Sequence, residues 1–396
     1  MSGVRIGSGL STEEHPARAL EDAARQARAQ LPDSGVDLAV VFSTRDRLDD
    51  ASDGLERVAA VLEPGCLIGC AAQGVVGPGR EVEQGPGASV WAASIPGCEV
   101  EGFELDAVPG EDGPVIGGMP GALESGSAGI DLVVLLSDPF SFPAEAFLDS
   151  LADTVPGLPV VGGIASGARS SDDRVLYLGT DAVEAGAVGV TLAGADVLPC
   201  VSQGAAPIGP EMVVTASEEN LIFELASRPA LEKLSEVVSA LDPRERALAA
   251  TGLLLGIVID ENKPEYERGD FLIRGLLGAD RSSGALAIGD RLRVGQTVRF
   301  HARDARSADE DLRHALAAGR DALSGRGAAG ALLFTCNGRG RQMFPAPDHD
   351  AAALAASLGP VPVSGSFCAG EIGPVGGRSF LHGFTATVAL FAGGGA

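Results

Sequence analysis

Lysine is almost missing from this chain of 396 residues: only Lys233 and Lys263 occur, and Lys plus Arg total 29 against 54 acidic residues. The formal charge of −25 works against polyanionic partners, because phosphate contacts depend on clustered cations that displace counterions. Nucleic acid and anionic membrane surfaces are therefore not expected partners. Long apolar runs are missing too. No stretch approaches the ~18 consecutive apolar residues that cross a bilayer, and Met1 to Leu10 has neither a basic region nor an apolar stretch. The sequence predicts no membrane insertion and a cytoplasmic location. Cysteine is sparse: Cys66, Cys70, Cys98, Cys200, Cys336 and Cys368 form no CxxC pair and no dense framework, which suits free thiols in a reducing compartment. Aromatic residues make up only 4%, so packing must depend on Ala, Val and Leu with close backbone approach at glycine.

Catalytic signatures are absent as well. There is no P-loop, no HExxH and no G-x-S-x-G elbow, and the five histidines show no metal spacing. Gly77, Gly79, Gly85 and Gly87 imitate a dinucleotide loop, yet no helix follows to present its N-terminus to a pyrophosphate. No cofactor is expected.

What is present is a unit that occurs three times. Each copy opens with a short apolar strand, at Asp37 to Ser43, Asp131 to Leu136 and Ala331 to Thr335. A helix with one apolar face follows: Leu55, Val58, Ala59 and Leu62; then Ala144, Phe147, Leu148 and Leu151; then Ala351, Leu354, Ala355 and Leu358. Pro143 suits a first helical turn, and Asp348 or Asp350 suits the third helix's cap. A second strand then runs into two glycines five residues apart, in GCAAQG (69–74), GGIASG (162–167) and GSFCAG (365–370). A third strand begins at a further glycine, Gly87, Gly186 and Gly383 in the three copies.

Residues 211–305 differ in character and read as a helix around Leu231, Leu234, Val237, Val238 and Leu241, then a meander over 253–259, 271–277, 285–288 and 297–301. Ser307-x-x-Glu310 offers a capping box for a further helix. The Pro- and Gly-bearing segment from Gly194 to Glu211 is taken as a boundary loop. The expectation is an α/β protein of two related domains, 1–205 and 206–396, built from repeated strand-helix-strand units with glycine-rich turns.

The loops carry a resemblance. FLIRGLLGAD (271–280), FTCNGRG (334–340), SGSFCAGEIGP (364–374) and FLHGFT (380–385) follow one another as in the FIST family, and GCAAQG matches it in the N-terminal half. The chain thus resembles proteins that pair a FIST N and a FIST C domain and are associated with intracellular signal transduction. Val75 and Val76 depart from the pattern, which often has a polar or acidic residue there. The resemblance implies a sensory domain proposed to bind small ligands such as amino acids, and no established catalytic activity.

Candidate contacts gather in the third unit. Cys336, Asn337 and Arg339 follow its first strand, at the end where α/β proteins place ligands. Glu371, just after Gly370 on a turn fixed by Gly373 and Pro374, is placed to meet a ligand ammonium, with Arg339 or Arg274 forking onto a carboxylate. Gly365, Phe367, Cys368 and His382 complete the expected pocket, apolar with a few polar anchors. Three functional classes stay open on these residues. One is a small-molecule sensor that passes its signal to a separate protein partner. The second is an enzyme using Cys336 or Cys368 as nucleophile and His382 as base. The third is an interaction scaffold without ligand.

Overall fold

The computed structural model describes residues 3–31, 34–44, 51–111, 113–126, 129–266 and 269–394. By packing, the chain divides into two compact units, Met1–Val201 together with Arg313–Ala396, and Ser202–Leu312. The first unit is therefore discontinuous in sequence. No helix among the described residues is long and apolar enough to cross a membrane.

The first unit is mixed α/β and contains two sheets. In its six-stranded sheet, Val36–Thr44 lies between Ala88–Ser94 and Pro64–Ala72, antiparallel to the former and parallel to the latter. The same triplet recurs twice in a twelve-stranded sheet. Leu132–Ser137 lies between Ala187–Ala193 and Val160–Ala165, and Ala328–Cys336 lies between Ala386–Ala392 and Val363–Val375. These two triplets join edge to edge, because Val160–Ala165 pairs antiparallel with the long strand Val363–Val375.

The sheets pack face to face through one core that includes Val41, Phe42, Trp91, Val134, Leu136, Phe334 and Phe391. Phe42 meets Phe334 edge-on at 6.0 Å between ring centroids, and Trp91 meets Phe391 at 4.8 Å. Each such pair adds about 0.5–1.5 kcal/mol to the burial of the rings themselves. Helices cover the outer faces. Pro16–Arg28 begins with its proline at the first helical position, where the missing N–H costs nothing, and buries Ala17, Leu20, Ala24 and Ala27. Ala144–Thr154 buries Phe147, Leu148 and Leu151 over the alternate residues Val133 and Leu135 of the neighbouring strand.

The first glycine of each expected loop has a common structural use. Gly69, Gly162 and Gly365 stand opposite Val41, Leu135 and Leu333 in the parallel pairings. A Cβ at those glycines would lie 2.1, 1.9 and 1.9 Å from the facing carbonyl oxygens. No side chain fits there, so the glycine lets two parallel strands approach. The third loop proves not to be a loop. GSFCAG lies wholly within Val363–Val375, held extended by Ala328–Cys336, by Val160–Ala165 and by a short strand at Val75–Gly77.

The second unit is an antiparallel ring. Its strands run in the order Ala205–Glu218, Thr297–Arg303, Leu253–Val258, Phe271–Asp280, Ala285–Ile288 and Leu221–Leu225, and Ala205–Glu218 also pairs with Leu221–Leu225 to close the circuit. The helix Ala230–Ala240 buries Leu234 and Val237 into a core of Val214, Ile222, Leu255, Leu286, Val298 and Phe300.

Several local readings change. The segment expected as a boundary loop contains the strand Val197–Ser202 and the start of Ala205–Glu218, because each finds a pairing partner. Ser307 does not cap its helix, which starts at Ala305 with Asp304 accepting from the Arg306 N–H at 3.2 Å. A capping box does form at Asp242 and Glu245. Asp348 precedes the helix His349–Leu358 without capping it; Glu81 Oε1 instead accepts from the N–H groups of Asp350 and Ala351 at 2.8 and 2.9 Å.

Candidate functional site

Cys336, Asn337 and Arg339 leave the end of the strand Ala328–Cys336 and turn back over the long strand Val363–Val375, where the Asn337 N–H donates to the Cys368 carbonyl at 2.9 Å. This brings Arg339 into the interior. Its side chain is fully buried, and it forks onto Asp350, with Nε and Nη2 each 2.8 Å from a carboxylate oxygen. Thr335 donates to the same carboxylate at 2.6 Å, and His349 Nδ1 lies 2.8 Å from it. The His349 ring stacks on Phe344 at 3.4 Å, and the Arg339 guanidinium lies 5.2 Å from the centre of that ring. Burial opposes ionisation of Asp350, yet the arginine fork outweighs it and holds the carboxyl well below the usual range.

Glu371 does not project from a turn as its sequence position suggested. It sits inside Val363–Val375, fully buried, and its Oε2 accepts from the backbone N–H and hydroxyl of Thr385 at 3.0 and 2.7 Å. Burial pushes its carboxyl up to about 8, against the Thr385 donors and the nearby Cys336 and Arg339 that favour its charged form. At neutral pH the carboxyl is therefore mostly protonated.

Three atoms of this cluster are buried with no hydrogen-bond partner from the protein: Arg339 Nη1, Glu371 Oε1 and Asn337 Oδ1. A buried polar group left unsatisfied costs about 1–3 kcal/mol. A strap from the N-terminal half lies over the cluster. Val75 and Val76 pair with Ser366 and Gly365, the Glu81 N–H donates to Asp348 Oδ1 at 2.7 Å, and Glu83 Oε2 accepts from the Arg341 N–H at 2.8 Å. Burial, joined by the charge of Asp350, pushes the Glu81 carboxyl up to about 8.

The remaining candidates divide. Phe367 and Cys368 are buried in the long strand beside the cluster, and the Phe367 N–H donates to the Gly74 carbonyl at 3.0 Å. Gly365 and Gly370 serve packing, the latter against Leu381 and Ile164. His382 ends its strand directly opposite Glu371, with Nε2 2.9 Å from the Gly373 carbonyl. Arg274 belongs to the second unit, where its Nε donates to Asp290 at 2.7 Å. Burial, with the charge of Glu371 second, pushes the Cys336 thiol up to about 12 and drives Cys368 well above its ordinary value. Neither supplies a ready thiolate. Asp350, Glu81, Thr335 and Thr385 were not anticipated as site residues. Only Asp350 carried a local signal, as a helix-start residue.

A two-sheet α/β unit holding a buried, partly unsatisfied polar cluster, joined to an antiparallel ring, defines the class. The FIST N domain pattern matches residues 37–228 and the FIST C domain pattern matches 230–374. The chain is similar to uncharacterized protein Mb0898c of Mycobacterium bovis, 45% identical over 98% of this chain and 99% of that one. It is also similar to uncharacterized protein Rv0628c of Mycobacterium tuberculosis, 46% identical over 98% of this chain and the whole of that one. The protein belongs to the FIST family, whose domains are sensory and signalling domains.

Proposed function

We propose that the protein is a cytoplasmic sensor that binds a small zwitterion of the amino-acid class at the Arg339, Asn337 and Glu371 cluster, and passes the occupancy of that site to a protein partner. The observation that carries this reading is the set of three buried, unpartnered polar atoms, one on a cation, one on a carboxyl and one on an amide. Arg339 Nη1 is left to meet a ligand carboxylate, while Nε and Nη2 stay on Asp350. Glu371 Oε1 and Asn337 Oδ1 accept from the ammonium. An incoming ammonium also favours ionised Glu371, so binding is coupled to release of its proton.

Because Arg339 and Glu371 are sealed, a ligand reaches them only when the strap at 75–83 moves, and that movement is the conformational output. Thermal unfolding with a panel of amino acids tests the reading, since a ligand that binds only the native state raises the Tm. At least one amino acid is expected to raise it in the unaltered protein and to fail with Asn337→Ala and Glu371→Gln. A shift that survives both substitutions removes the cluster from the reading.

A further inference from the structure

The second unit contains a separate cleft of about 130 Å³, lined by polar Gln203, Arg299, His301 and Asp311 and by apolar groups including Phe271 and Ile273. One wall is aromatic. Tyr266 meets Phe271 edge-on at 5.8 Å, and Phe271 meets His301 edge-on at 5.2 Å. The volume is close to the roughly 150 Å³ of a cavity that holds one benzene ring.

His301 gives the cleft its polarity. The ring is buried and packs over Gly256, where a Cβ would lie 2.4 Å from its Cε1. Nδ1 is 3.0 Å from the Arg299 carbonyl, which only accepts, so Nδ1 carries the proton and donates. Nε2 is then a bare acceptor, and among the described residues it has no hydrogen-bond partner. Burial lowers the pKa of this imidazole to about 4, which keeps it neutral in that tautomer at neutral pH. The rest of the wall is fixed. Asp311 Oδ2 accepts from the Gln203 and Gly204 N–H groups at 2.7 and 3.3 Å, and Gln203 Oε1 accepts from the Ile273 N–H at 3.2 Å.

We infer that this cleft is a second binding site, distinct from the Glu371 cluster, for a single-ring aromatic or heteroaromatic molecule whose O–H or N–H donates to His301 Nε2. The flat body lies against Phe271 and Tyr266, and the donor group sets its orientation.

Fluorine NMR on the full chain, with 4-fluorophenol and fluorobenzene as probes, tests the inference. The two have closely similar shapes but only the phenol donates. 4-Fluorophenol is expected to bind about fivefold more tightly, the size of one net hydrogen bond. His301→Phe should remove that preference while leaving both probes bound, and Ala205→Met, which fills the cleft, should abolish both at an unchanged Tm. The Glu371→Gln protein should bind both probes as the unaltered protein does. The inference is overturned if neither probe binds, if the two bind equally to the unaltered protein, or if Ala205→Met binds them undiminished.

Discussion

Arg339 turns two of its three guanidinium nitrogens onto Asp350 and leaves the third, Nη1, buried without a partner. The pair is completely enclosed, so removing one member strands the other in the interior. Asp350→Asn or Arg339→Met is expected to cost about 3–5 kcal/mol in urea unfolding. Arg339→Lys should lose nearly as much, because an ammonium cannot reproduce the two-pronged contact. The double replacement Arg339→Met with Asp350→Leu should be more stable than either single variant of the pair. If the double variant instead loses the sum of the single losses, the pair is not coupled.

Glu371 and Glu81 give stability a pH dependence opposite to that of an ordinary paired carboxylate. Both pKa values stand at about 8 in the folded protein, above the usual 4.5, so the native state keeps protons that the unfolded chain has lost. Their stabilisation is full below about 4.5 and disappears as pH rises through 8. Glu371→Gln fixes the neutral form. Its Tm relative to the unaltered protein should rise by several degrees between pH 5 and pH 8.5. A difference constant across that range would mean that Glu371 is ionised throughout.

The sequence pattern disclosed much of the first unit because its information is local. Short continuous apolar runs marked the strands of all three triplets, and Gly87, Gly186 and Gly383 stood just before or near the last strand of each. The closed ring of the second unit was not legible, since closure depends on Ala205–Glu218 pairing at both ends of a circuit through register shifts. The candidate site was half legible. Arg339, Asn337 and Glu371 were named from their positions after a strand end and beside glycines. Their real neighbours come from distant chain: Glu81 lies 269 residues before Asp350, and no short motif records that distance. Glycine-rich GSFCAG looked like a loop because glycine weakens a strand, but pairing on both sides overrode that preference.

Gly69, Gly162 and Gly365 should tolerate no side chain. Alanine at any of them would place Cβ within about 2.1 Å of a facing carbonyl oxygen, which forces two central strands apart. Each substitution is expected to cost at least about 3 kcal/mol in urea unfolding, or to prevent soluble expression. Gly278 is the control, a strand glycine with nothing within 4 Å of its Cβ position, and Gly278→Ala should fall within about 0.5 kcal/mol of the unaltered protein. Equal losses at Gly278 and Gly365 would show that backbone freedom, not strand spacing, is what these glycines provide.

The six thiols should separate by accessibility when the native protein meets an electrophile. Cys70, Cys200, Cys336 and Cys368 are buried, whereas Cys66 and Cys98 are half-buried. Burial pushes Cys66 and Cys98 up to about 11 from the ordinary 9.0, which lowers their thiolate fraction near neutral pH by about a hundredfold. Labelling with a disulfide reagent, followed by peptide mapping, should find slow modification at Cys66 and Cys98 and none at Cys336 or Cys368 until denaturant is added. Fast, selective labelling of Cys336 in the native protein would reverse this assignment, because it requires a stabilised thiolate beside the Glu371 cluster and would make cysteine chemistry the better account of the site.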